Sequence, residues 1–215
     1  MNNSIYEVEL FKDPERLLKY VHSTRPSIVG FSHYGWNENL NRSVGNHIRS
    51  YIPEIMIVAG GPNLDPDMGV RREFMQRHNY VDYFIVDSGE GPFSEFLHWW
   101  KNAKFDKSTL PNNLSWIEDR AIFHTETQFS TKKNIDDIPS PYLNGHLDQF
   151  LQQGMIPMIE TNRGCPFQCT FCAWGEASKN TVRRFNIETT FAEIEYIAKK
   201  TKADNWIVCD ANFGM

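Results

Sequence analysis

Met155-Ile156-Pro157-Met158-Ile159, then Gly164-Cys165-Pro166-Phe167-Gln168-Cys169-Thr170-Phe171-Cys172: an apolar run leads into three closely spaced thiols. A run of this length reads as a buried strand. The glycine and proline behind it break the strand, so the thiols belong on a loop at its C-terminal end. Three cysteines in C-x3-C-x2-C spacing can turn their sulfurs toward a common centre. Soft thiolates held together suit zinc or an iron–sulfur cluster. A closed structural zinc site takes four ligands, usually as two pairs. Here the remaining cysteine is the distant Cys209, and no histidine follows Cys172. Three protein ligands would leave one iron of a cubane open to a small molecule. A non-catalytic zinc module with Cys209 as fourth ligand is the competing reading.

Downstream, Glu188 to Lys200 carries Phe191, Ile194, Ile197 and Ala198 at helical spacing and reads as an amphipathic helix packed by that stripe. Trp206-Ile207-Val208-Cys209 reads as a second strand, with Cys209 as a small buried hydrophobe. Strand, thiol loop, helix and strand form a βα unit followed by a second strand, and in such α/β folds active sites lie at strand C-termini. Asp210-Ala211-Asn212-Phe213 falls at such an end. Arg163 either steadies the loop or is a solvated cation. Arg183 and Arg184 read as facing solvent. Trp174 either shields a bound cluster or packs in the core.

The first hundred residues alternate between strands and helices. Ile5 to Phe11, Ser27 to Ser32, Ile55 to Ala59 and Tyr83 to Val86 read as strands. Helices follow at Asp13-Pro14, with Asp13 as cap, from about Asn37 to Tyr51, around Phe74-Met75, and from the Gly89-Glu90-Gly91-Pro92 loop through Trp100. The continuously apolar Ile55 to Ala59 belongs inside a parallel sheet. This is the pattern of a doubly wound α/β domain, which binds ligands at the carboxyl ends of its strands. Those ends are Ser32 to Asn37, Gly60 to Asn63 and Ser88 to Gly91. Glycines there admit a bulky ligand or simply make tight turns. No G-x-G-x-x-G loop is present. Leu114 to Ile117 and Ala121 to Phe123 read as a hairpin. Asp136-Asp137-Ile138-Pro139-Ser140-Pro141-Tyr142 is extended, because its prolines exclude helix.

The thiol loop, with Phe171 before its last cysteine, resembles the signature of radical S-adenosylmethionine (SAM) enzymes. The segments Val29-Gly30-Phe31-Ser32-x-Tyr34-x-Trp36-Asn37, Ala59-Gly60-Gly61-Pro62 and Gly89-Glu90-Gly91 resemble the cobalamin-binding domain that precedes the barrel in cobalamin-dependent members. The Asp136 to Tyr142 stretch is similar to their interdomain linker. The resemblance implies an α/β chain: an N-terminal doubly wound, Rossmann-like parallel sheet of the cobalamin-binding type, then the start of a partial β/α barrel. The expected divisions are 1–105, lacking the family's first strand and helix, a hairpin and linker over 106–150, and an incomplete barrel over 151–215. The resemblance further implies that Cys165, Cys169 and Cys172 hold a [4Fe–4S] cluster and that Phe171, Asp210 and Asn212 contact SAM, Asp210 through the SAM ammonium. Ser32, Tyr34, Trp36, Asn37, Gly60, Gly61, Gly89 and Glu90 would contact cobalamin. There is no D-x-H-x-x-G motif, so neither His33 nor His47 is a lower ligand to cobalt. The implied activity is a methyl transfer to an unactivated centre of a small-molecule or peptide substrate, with a flavodoxin- or ferredoxin-type electron donor. A radical SAM enzyme without functional cobalamin is the nearest alternative. The stop after one βα unit and a second strand suggests a fragment or half of a split protein.

Bulk properties agree with a folded enzyme. The chain has 215 residues, 40% hydrophobic and 23% charged, with net charge −5. That composition supports a packed core and lacks the basic field of a dedicated nucleic-acid binder. No run reaches membrane-spanning length and no export signal opens the chain. Four cysteines without such a signal point to reduced thiols, a cytoplasmic setting and metal rather than disulfides.

Overall fold

The computed structural model describes residues 9–65, 67–102, 106–128, 134–172, 174 and 180–214, which form two compact units divided after Gln128. The first unit opens with α1 (Pro14–Thr24). The Asp13 carboxylate caps it, accepting from the N–H groups of Glu15 at 2.9 Å and Arg16 at 3.5 Å. The left-handed Arg25, φ 49°, ends it. Glu9 to Phe11, the end of the first expected strand, lie outside any strand, and the rest of that stretch falls outside the described residues.

From there β1 (Ile28–Ser32), α2 (Glu38–Tyr51), β2 (Met56–Gly60), α3 (Met68–Arg77), β3 (Tyr83–Ile85) and α4 (Glu90–Asn102) alternate as the pattern predicts. β1, β2 and β3 pair in parallel, with Ile28 opposite Met56 and Val58 opposite Tyr83. The sheet is mixed, however. β4 (Leu114–Glu118) pairs antiparallel with β3, and β5 (Ala121–His124) with β4. The hairpin placed in the connector is therefore the edge of the first sheet. Its turn residues Asp119 and Arg120 both have positive φ, as the twist of a two-residue hairpin requires.

Alternate strand residues enter opposite layers. On one face Val29, Phe31, Ile57, Ala59 and Phe84 meet Val21, Val44, Ile48, Phe74 and Met75 of α1 to α3. On the other, Val58, Tyr83, Ile85 and Leu114 meet Phe96 and Trp99 of α4. β2 is buried on both faces, which explains its unbroken apolar sequence. β1 is covered on one face only: Val29 and Phe31 are buried while Gly30 and Ser32 are exposed. Arg49, half-buried at the end of α2, donates to Tyr80 O, to Pro53 O and to Asp82 Oδ2 at 2.6 Å. The same Asp82 oxygen accepts the Ile57 N–H at 2.7 Å. One guanidinium thus ties α2 to the entries of β2 and β3.

The second unit is built on β6 (Met158–Ile159) and β9 (Ile207–Val208), which pair in parallel across α6 (Ile187–Lys200). β7 (Asn162–Arg163) pairs antiparallel with β8 (Arg183–Arg184), and α5 (Asp148–Gln152) lies before β6. Asn186 caps α6 through its side-chain oxygen. Tyr142, Leu151, Ile159 and Ile197 form the core. The Tyr142 hydroxyl donates to Met158 O and accepts from Met158 N–H at 2.8 and 3.0 Å, so the end of the expected linker is built into this unit. The α6 stripe is narrower than its sequence predicts. Ile197 is buried and Ile194 packs beside it, but Phe191 and Ala198 are exposed, because a sheet this small covers one narrow face. Cys209 is exposed too, contrary to the buried-hydrophobe reading. Among the described residues no helix is long and apolar enough to cross a membrane.

Candidate metal and cofactor sites

All four cysteines are free thiols. Cys165, Cys169 and Cys172 sit just beyond β7, with Cys165 and Cys172 half-buried and Cys169 exposed. Gly164, φ 97°, turns the chain into the loop, and the Cys172 N–H donates to Cys169 O at 3.1 Å. Among the described residues no three His, Cys, Asp or Glu side chains are gathered into a preformed metal group. The loop therefore offers the right donors without holding the sulfurs at one point. In metalloproteins generally, metal binding and the ordering of the site can be coupled. The same observation bears on the zinc alternative: Cys209 does not join the three as a ready fourth ligand. Phe171 is 91% exposed and Trp174 is also exposed, so neither is a core aromatic. Ala173 and Gly175, beside Trp174, fall outside the described residues.

Asp210 lies where β9 ends and meets the residues leaving β6. Its Oδ1 accepts the N–H groups of Thr161 at 2.6 Å and Asn162 at 3.2 Å. Its Oδ2 accepts the Thr161 hydroxyl and the Asn162 amide N–H, the latter at 2.9 Å. An ionised carboxylate has about four acceptor positions, and all are taken. A SAM ammonium at this carboxylate would have to compete with these four donors. Asn212 is half-buried at the same strand end. Arg163 is not a solvated cation: its Nε donates to both Glu160 oxygens at 3.0 and 2.8 Å, and its guanidinium lies 5.9 Å from the Phe185 ring centre. Arg183 and Arg184, read as facing solvent, form β8 against the strand that enters the thiol loop.

In the first unit the carboxyl ends of β1, β2 and β3 lie along one edge. The His33 N–H donates to Gly60 O at 2.7 Å, and Asn63 N–H to His33 O at 3.3 Å, so the loops after β1 and β2 are joined backbone to backbone. Asn37 shapes the first loop from within: its side chain accepts the Tyr34 N–H at 2.8 Å and donates to Ser32 O at 2.9 Å. The Tyr34 and Trp36 rings stack at 4.5 Å between centres, and Trp36 is 82% exposed. The glycines divide in role. A Cβ on Gly61, φ 109°, would lie 2.6 Å from His33 O, so this glycine serves the fold itself. A Cβ on Gly89 would meet nothing within 4 Å, leaving that backbone open. Glu90 begins α4 beside it.

Beneath these loops lies a polar cluster that sequence reading did not assemble. His33 is 1% exposed, and its Nε2 lies 3.3 Å from the Tyr80 hydroxyl. Burial, and then the neighbouring His78, push its pKa down to about 4. His78 is lowered as well, chiefly by burial, and its Nε2 lies 3.5 Å from Glu38 Oε1. Glu38 in turn receives the Asn63 amide at 3.5 Å. His33 thus faces the core, away from any ligand on the outer side of the loops. His47, on α2, lies with its Nε2 3.1 Å from His22 Nε2.

No family model matches the chain. Over 196 residues it is 33% identical to the cobalamin-dependent radical SAM methyltransferase TokK of Streptomyces tokunonensis, a match covering 88% of this chain and 28% of TokK. Over 198 residues it is 32% identical to the 2-(S-pantetheinyl)-carbapenam-3-carboxylate methyltransferase of Streptantibioticus cattleyicolor, covering 89% and 28%. The chain is a relative of the cobalamin-dependent radical SAM enzymes. It spans 28% of the length of these curated relatives. Its fold is that of the radical SAM methyltransferase TsrM of Kitasatospora setae, solved with cobalamin and a [4Fe–4S] cluster bound. The TM-score is 0.64 at 16% identity, over 93% of this chain and 40% of TsrM. Within this radical SAM relative, the thiol loop and Asp210 belong to the second unit and the three loop ends to the first.

Proposed function

We propose that the chain supplies the cobalamin-binding unit and the cluster-binding opening of a radical SAM methyltransferase. The observation that carries this reading is the thiol loop: three free cysteines in C-x3-C-x2-C spacing, placed just beyond β7, with β6 upstream of them paired in parallel with β9. Cys165, Cys169 and Cys172 would each bind one iron, leaving the fourth iron for the amino and carboxylate groups of SAM. When bound, the cluster supplies the electron that cleaves SAM to methionine and a 5′-deoxyadenosyl radical, and cobalamin supplies the methyl carrier.

The chain's own residues have narrower tasks. Phe171, exposed within the loop, offers a face to the adenine, and Asn212 offers an amide at the neighbouring strand end. The Tyr34–Trp36 stack offers a flat apolar surface to the corrin. Ser32 and Asn37 hold that loop in shape, Gly60 and Gly61 keep the second loop close beneath it, Gly89 leaves backbone space at the third, and Glu90 beside it is the remaining contact candidate. The substrate would be a small molecule or peptide and the electron donor a flavodoxin or ferredoxin.

Anaerobic reconstitution with iron and sulfide tests the cluster. The chain should turn brown and, once reduced, give the paramagnetic signal of a [4Fe–4S] cluster, while Cys169→Ala should lose most of its iron. A colourless wild-type chain that takes up zinc instead would overturn the reading. Hydroxocobalamin should co-elute with the chain in gel filtration. If the chain becomes brown but elutes without corrin, it is a radical SAM protein that does not use cobalamin.

A further inference from the structure

We propose that Asp210 is a positioning residue for the thiol loop, fixing through Thr161 and Asn162 the direction in which the chain leaves β6 toward Cys165. The inference rests on the cluster reading above and gives Asp210 a different task from the SAM contact that its position suggests. Acceptor count and location carry it. The carboxylate receives two backbone N–H groups, one hydroxyl and one amide N–H, all from two consecutive residues. Those residues lie three and four positions before Cys165. They also join two ladders: Ile159 pairs with Val208 in the parallel ribbon, and Asn162 pairs with Arg184 in the antiparallel one. The chain has to change direction between the two, and Asp210 holds the bend.

Charge-assisted hydrogen bonds are roughly twice as strong as neutral ones. Four of them on a single bend make it stiff where the thiols need a fixed base. Asn162 adds an independent sign. Its side chain is 2% exposed, and its Oδ1 has no hydrogen-bond partner. The amide N–H bonded to Asp210 fixes which way the group is turned. A buried acceptor without a partner is costly, and this one lies on the bend that Asp210 holds.

The test compares Asp210→Asn, Thr161→Val and Thr161→Ser with wild type in the reconstituted full chain. Asp210→Asn turns an N–H toward donors that need an acceptor. It should release iron to a chelator about tenfold faster than wild type, the low end of what losing a group that orients metal ligands costs in affinity. Thr161→Val, missing one bond of four, should fall between the two, and Thr161→Ser should restore the wild-type rate. In metal-free protein, alkylation of Cys165 should also quicken in Asp210→Asn while helix content is unchanged. If Asp210→Asn does not fold, the Thr161 pair decides the matter alone. Iron release as slow in Asp210→Asn as in wild type, or Thr161→Ser behaving like Thr161→Val, would overturn the proposal. Loss of SAM affinity with iron retention intact would overturn it as well, in favour of direct contact. A wild-type chain that takes up no cluster would refute the cluster reading instead, and the alkylation rates would still judge the bend.

Discussion

His33 stays neutral to remain in the core, and that sets a pH window for stability. Burial, followed by the adjacent His78, lowers its pKa to about 4 in the folded chain, while the unfolded chain titrates near 6.5. Between those values the unfolded state binds a proton that the folded state refuses, so stability falls as pH drops through the window. It is fully present above about pH 6.5 and the loss reaches on the order of 3 kcal/mol near pH 4. His78, also lowered by burial, adds to the same trend. Urea unfolding between pH 7.5 and 4.5 should show a shallower loss in His33→Gln than in wild type, and equal slopes would remove His33 as the cause. The residue's place was legible in part. Val29, Phe31 and His33 alternate, which puts the imidazole on the buried face with the two hydrophobes. Its partners Tyr80 and His78 arrive from far along the chain, and nothing local announces them. The bonds from Thr161 and Asn162 to Asp210, spanning 48 or 49 positions, were hidden for the same reason. The spacing of the three cysteines is visible in the sequence because it lies within one short stretch.

At the scale of elements, α2 shows how a neighbour can reverse a propensity. Gly45 sits in mid-helix, where glycine ordinarily costs about 1 kcal/mol relative to alanine. Here a Cβ would stand 2.1 to 2.8 Å from atoms of the Tyr80 ring, which is itself buried. Gly45→Ala should therefore destabilise the chain by roughly 1–3 kcal/mol, the range for overpacking. Thermal unfolding checks the sign. In a Tyr80→Leu background the same substitution should cost much less, and an equal cost in both backgrounds would show that the ring is not the obstacle. The long periodic elements of the first unit were legible because each carries its own signal: a cap at Asp13, a continuous apolar run in β2, turn residues between strands. Two things were not. The hairpin's pairing with β3 is a long-range choice, made when Leu114 joins the layer under Phe96 and Trp99. The described strands of the second unit are only two residues each, and β6 ends where the chain bends into β7 and the thiol loop.

At the scale of the whole molecule, the two units have separate hydrophobic cores with no residue in common. The first holds a five-stranded sheet with helices on both faces, while among the described residues the second centres on a cluster of four buried side chains. Burial of apolar area is the main favourable term in folding, so the second core alone supports far less stability. A ligand that binds only the folded state adds stability by mass action, and only to the structure it binds. Calorimetry on the reconstituted chain should therefore show two transitions. Stripping the iron with a chelator should lower the cooler one and leave the warmer one in place. Hydroxocobalamin should raise the warmer one alone, since its proposed contacts lie entirely within residues 32–90. A single transition that shifts as a whole with either cofactor would mean that the units fold as one, and the division by core would fail.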